Sequence, residues 1–97
     1  MIRVSVFYPK SDGCTFDHDY YRTTHVPMAV KAWSPRETSI DVGIDGPYIA
    51  AVHFVFDSID QFHTGMASPM TSELMADLVN YTNITDAVIQ VAEIVAN

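Results

Sequence analysis

Apolar and polar positions alternate in four stretches of the chain. Ile2, Val4, Val6 and Tyr8 share one face of a two-residue period, with Arg3, Ser5 and Phe7 on the other. Residues 38–44 repeat the pattern, with Ile40, Val42 and Ile44 aligned. In residues 48–56 the run Ala50, Ala51, Val52, His53, Phe54, Val55, Phe56 is apolar on both faces, as in a strand covered on both sides. Residues 87–95 set Ile89, Val91 and Val95 against Val88, Ala92 and Ile94. Helical spacing fills two of the gaps. One helix covers roughly residues 16–33. A second runs through Ile59, Phe62 and Met66 from a cap at Asp57 or Ser58, is interrupted by Pro69, and restarts at Thr71 or Ser72 through Leu74, Met75 and Leu78. Asp45, Gly46 and Pro47 turn the second strand into the third as a hairpin. The order β-α-β-β-α-β predicts an α+β, ferredoxin-like antiparallel sheet with both helices on one face.

That plan leaves the other sheet face bare. Strand length and spacing make it ~400 Å² in projection. The strand composition reads as largely apolar, and monomers rarely show water one patch of that size. At ~25 cal/mol/Å², covering it stabilises by roughly 10 kcal/mol per subunit before association costs. A homodimer packed sheet on sheet is therefore expected. Ser5, His53, Gln90 and Glu93 interrupt the apolar strands and are candidates to line a cavity between sheet and partner.

The first helix concentrates the chemistry. At 3.6 residues per turn, Asp17, Tyr21 and His25 fall on one face, with Met28 and Ala32 below them. Phe16, Tyr20, Thr23, Pro27 and Val30 form a more apolar face. Asp17 suits the first turn, where free N–H groups and the helix dipole favour a carboxylate. Pro27 clashes with the Thr23 carbonyl and leaves it unpaired, at roughly 3 kcal/mol. A break or kink at residues 24–26 is expected, with Pro27 starting a second segment and His25 standing at the break.

Length and charge narrow the function. Ninety-seven residues predict a single domain spanning 1–97. Five cations against twelve anions give a net charge of −7, which repels phosphate backbones and anionic lipid; neither nucleic acid nor membrane is an expected partner. One cysteine, Cys14, allows no internal disulfide. No apolar run nears the ~20 residues of a membrane span, and the N-terminus opens straight into a strand pattern, so a cytoplasmic protein is expected. The His spacing holds no pair on one helix turn, and no metal or other cofactor is expected.

The run Thr15, Phe16, Asp17, His18, Asp19, Tyr20, Tyr21, followed by His25, Val26, Pro27, Met28, resembles the EthD family, proteins named for a gene of ethyl tert-butyl ether degradation. Tyr8-Pro9, Gly46-Pro47-Tyr48, Phe56-Asp57-Ser58 and the closing strand are similar as well. The resemblance implies a dimeric α+β barrel. It also implies an association with oxidative breakdown or tailoring of small organic compounds, in a superfamily that contains cofactor-free monooxygenases, decarboxylases, lactone isomerases and haem proteins. Fold analogy leaves the chemistry open.

His25 is the leading candidate for acid–base work, with Tyr21 as a hydrogen-bond donor and Asp17 as the carboxylate that orients them. Against this stands a structural role for His25, bonding a carbonyl freed by Pro27. Asp17 reads first as a helix cap or first-turn carboxylate, and Tyr20 first as core. Tyr20, Met28 and His53 are candidates to line the site of a small apolar ligand; an unpartnered His53 in its strand would cost roughly 1–3 kcal/mol. Three readings fit these residues: a metal-free oxidoreductase, decarboxylase or isomerase; a non-catalytic metabolite binder serving a partner oxidase; and a purely structural dimer with a filled interior.

Overall fold

A computed structural model describes residues 1–96. Strand β1 (Ile2–Pro9) is central, pairing antiparallel with both β3 (Tyr48–Phe56) and β4 (Val88–Glu93), while β2 (Glu37–Val42) pairs with β3. The sheet order is β2-β3-β1-β4, all antiparallel, which is the ferredoxin-like arrangement read from the sequence. Ile2, Val4, Val6 and Tyr8 stand opposite Phe56, Phe54, Val52 and Ala50, and all eight point toward the helices. Val4, Phe54 and Phe56 are almost completely buried there.

Helix α1 (residues 18–33) does not break. It runs as a short α-turn (His18–Tyr20), a π-turn (Tyr21–His25) and an α-segment (Val26–Trp33). Of the break or kink expected there, the break is absent, and the irregularity is this wide turn. The Val26 N–H bonds the Tyr21 carbonyl five residues back, so one extra residue is absorbed where Pro27 would otherwise clash. Ser34, in the left-handed conformation at φ 50°, ends the helix before Pro35.

Helix α2 (Ile59–Met66) is capped by Ser58, whose hydroxyl accepts from the Gln61 N–H at 3.2 Å, while Gln61 reaches back to the Asp57 N–H at 2.9 Å. Helix α3 (Met70–Asp77) starts one residue before the expected restart and runs into a 3-10 turn (Leu78–Asn80). Gly65 faces the Trp33 indole so closely that a Cβ there would lie 3.0 Å from its ring, and this sets how near α2 approaches α1.

The register also fixes the bare face, and here the expectation needs correcting. Three rows cross it. Ser39, His53, Ser5 and Gln90 form the middle one; Asp41, Ala51, Phe7 and Val88 lie on one side; Glu37, Val55, Arg3 and Ala92 lie on the other. The face is mixed, not largely apolar. Composition alone assigned the apolar residues of β3 and β4 to both faces equally, whereas the register turns most of the large ones toward the helices.

Candidate functional site

The π-turn places His25. On a regular α-helix residues five apart lie roughly 140° from each other. A turn with i→i+5 bonding stacks them instead, so Tyr20 and His25 reach the same carboxylate. That carboxylate is Asp77, at the end of α3 and buried. Its Oδ1 accepts from the Tyr20 hydroxyl at 2.7 Å and the Asn80 amide at 2.9 Å, and its Oδ2 lies 2.9 Å from His25 Nδ1.

The electrostatics settle which atom carries the proton. Burial pushes the Asp77 carboxyl upward, but hydrogen bonds from Asn80, His25 and Tyr20 more than reverse this, leaving it below its usual range. For His25 burial is the largest influence and lowers its pKa, with the Asp77 hydrogen bond and charge pulling the other way. At neutral pH His25 is therefore uncharged beside an ionised Asp77. Nδ1 donates to Oδ2, and Nε2 keeps a bare lone pair. Among the described residues no side-chain atom bonds Nε2 and no buried side-chain nitrogen or oxygen lacks a partner, so Nε2 is reached from free space.

His25 lines a cavity of about 110 Å³ between the sheet and the helices. Val4, Val52, Phe54, Phe62, Met66 and Leu74 supply most of its wall, with Tyr8, Tyr21 and His25 at one end. Met75 and Ile89, both about half exposed, stand at its mouth. The His25 ring lies nearly parallel to Tyr21 at 5.6 Å and tilted against Tyr81 at 4.5 Å. The Tyr8 and Tyr81 hydroxyls bond each other at 2.9 Å. Burial, then the neighbouring Tyr8, pushes the Tyr21 hydroxyl up, so it stays protonated.

The residues singled out from sequence separate into groups. His25 and Tyr21 line the cavity together. Tyr20 lies outside it and holds Asp77. Met28 packs partly buried on the core without lining the cavity. Asp17 is the correction: its carboxylate accepts from the Tyr20 N–H at 3.0 Å as the cap of α1, and the carboxylate on His25 is that of Asp77. His53 lies across the sheet from His25, on the bare face, between Ser5 Oγ at 2.7 Å and Asp41 Oδ2 at 2.8 Å. Asp77 has a signal in the sequence: it stands three residues after Leu74, an inward-facing helical position for a carboxylate.

Neutral His25 makes stability depend on pH with a definite sign. The unfolded chain binds a proton near pH 6.5, the folded chain only at lower pH. This contribution is complete above pH 6.5 and is lost as pH falls from 6.5 toward the lowered folded value. Urea midpoints between pH 7.5 and 5 are expected to fall in the wild type and to fall less in His25→Phe. Equal slopes would show that His25 is not buried in its neutral form.

Among the described residues no group of three or more His, Cys, Asp or Glu side chains is placed to hold a metal ion, and no helix is long and apolar enough to cross a membrane. No curated protein sequence matches the chain significantly. Solved structures do match. An EthD-like protein from Ralstonia eutropha JMP134 superposes with a TM-score of 0.89 at 32% identity, over 98% of this chain and 92% of that one. An antibiotic biosynthesis monooxygenase (TM-score 0.61, 9% identity, 99% and 100% coverage) shares the fold. So does a dimeric protein of unknown function and ferredoxin-like fold from Bacteroides fragilis NCTC 9343 (0.60, 11%, 96% and 95%). The EthD domain model matches residues 15–85, a span that holds the π-turn, His25 and Asp77. The chain belongs to the EthD family.

Proposed function

We propose that this protein binds a small, mainly apolar organic compound in the cavity beside His25 and moves a proton to or from it. His25 Nε2 is the base, Asp77 fixes the ring and its tautomer, and Tyr21 donates a hydrogen bond to the oxygen on which charge develops. One observation carries this reading: His25, tied at Nδ1 to the buried carboxylate of Asp77, lines an apolar cavity. The proton passes from the substrate to Nε2, giving an imidazolium beside the Asp77 carboxylate and an anionic substrate.

Such an anion is more easily oxidised than its parent, which fits a role in oxidative catabolism or tailoring, with dioxygen or a partner oxidase as the electron acceptor. The EthD family relationship and the fold shared with an antibiotic biosynthesis monooxygenase support that direction. We further propose that the protein acts as a homodimer joined through the bare sheet face, a reading supported by the dimeric ferredoxin-like neighbour.

Proton transfer can be followed without knowing the natural substrate. In D2O, a small neutral ketone such as cyclohexanone is expected to take up deuterium beside its carbonyl faster than in buffer, by about 10²-fold or more. His25→Phe is expected to lose this acceleration. Binding without exchange in the wild type would leave a non-catalytic binder, and exchange unchanged in His25→Phe would remove His25 from the chemistry.

A further inference from the structure

We infer that the cavity is built for an uncharged ligand of about one six-membered ring that donates a single hydrogen bond, a phenol-type compound, and that it rejects anions of the same size. The inference rests on the proton-transfer site proposed above and adds the chemical class that fits it.

Size sets the first limit. An apolar cavity of roughly 150 Å³ accommodates benzene. The space here is about 110 Å³ and partly walled by Met66 and Met75, whose unbranched thioethers give way easily. One ring is the expected load.

Hydrogen bonding sets the second. Of the polar groups on the wall, the Trp33 indole N–H is given to Thr71 Oγ1 at 3.1 Å and the Tyr8 hydroxyl is bonded to that of Tyr81. The Tyr21 hydroxyl and His25 Nε2 are left, the first as a donor to the ligand oxygen and the second as an acceptor. A ligand with one O–H satisfies both, while a pure hydrocarbon leaves them unpaired against apolar walls.

Charge sets the third. No Lys or Arg lines the cavity. The nearest ionised group is Asp77, bonded to the same His25 ring, and the whole chain carries −7. An anion entering here loses its hydration, meets no cation and is repelled by a carboxylate behind the imidazole. Phenol, which like a tyrosine side chain ionises only near pH 10, enters neutral at pH 7.5; a carboxylate does not.

Three probes of one size separate these limits: toluene, phenol and benzoate, titrated at pH 7.5 against the ¹⁵N and ring-proton signals of His25. Phenol is expected to bind at least about tenfold more tightly than toluene and to move the Nε2 signal, while benzoate binds at least about 100-fold more weakly than phenol. In His25→Phe the advantage of phenol over toluene is expected to vanish. Asp77→Asn serves as a second variant should that one fold poorly, and is expected to shrink the same advantage, because a protonated Nε2 can only donate to the weakly accepting phenol oxygen. Benzoate binding as well as phenol overturns the inference. So does toluene matching phenol, although that result leaves an apolar ligand site at His25 standing. If none of the three disturbs His25, both this inference and the site proposed above fall.

Discussion

Asp77→Asn is expected to abolish proton transfer while leaving the fold in place. The amide is the same size, but only one of its two heads accepts hydrogen bonds. In the wild type, Oδ1 serves two donors, the Tyr20 hydroxyl and the Asn80 amide, and Oδ2 serves one, His25 Nδ1. The amide oxygen goes to the side with two donors. Its NH2 then faces Nδ1, which must accept, and the imidazole proton moves to Nε2. The nitrogen facing the cavity becomes a donor and ceases to be a base. A loss of about 10²–10⁴ in proton-transfer rate follows, the scale seen when a carboxylate that holds a histidine tautomer is replaced by its amide. Stability should fall by only about 1–2 kcal/mol, since the Tyr20 and Asn80 bonds persist. Imidazole ¹⁵N shifts read the outcome directly. Nε2 is unprotonated in the wild type and protonated in Asp77→Asn. An unchanged tautomer would show that Asp77 does not hold the ring.

This arrangement was half legible in the sequence. His25, Tyr21 and Pro27 stand within seven residues, and the conflict between Pro27 and a regular helix located the irregular turn. Periodicity does not say how a helix resolves such a conflict. A break and a π-turn both remove the clash, and only the π-turn brings Tyr20 round to the side of His25. A strict 3.6-residue wheel therefore paired His25 with the wrong carboxylate. Asp17 is eight residues away and on the same ideal face, yet the free N–H groups at the helix start hold it as a cap. Asp77 is 52 residues away, brought in by the packing of α3 against α1, and only its inward helical position marked it.

The strands show the same division. Alternation found all four and their order, because the two-residue period is local. The two faces of the sheet depend on cross-strand register, which no single strand contains. Ser5, His53, Ser39 and Gln90 come from four separate segments, and only pairing lines them up as one polar row. His53 was expected to need a partner, and it has two, Ser5 and Asp41.

In the proposed dimer, the mixed character of that face changes what would hold two copies together, and Val88→Asp tests it. Hydrophobic area alone no longer supplies the estimate made for an all-apolar surface. Phe7, Ala51, Val55, Val88 and Ala92 still flank the polar row, so in the proposed dimer a second copy would gain apolar contact on both sides while the row would fix register. Val88 is 46% exposed in the single chain, so a carboxylate there costs the monomer little, about 0.5–1 kcal/mol. In a sheet-to-sheet dimer the same carboxylate is buried. It is too short to reach water, and it faces a partner that also carries −7. The dissociation constant is expected to rise at least about 100-fold, or roughly 2.7 kcal/mol. Val79→Asp, on an 83% exposed residue of the 3-10 turn after α3, is expected to leave assembly unchanged. Sedimentation velocity at micromolar concentration distinguishes the outcomes. A Val88→Asp protein that still sediments as a dimer would show that the copies meet elsewhere, and a wild-type monomer would mean that the polar row is stable in water on its own.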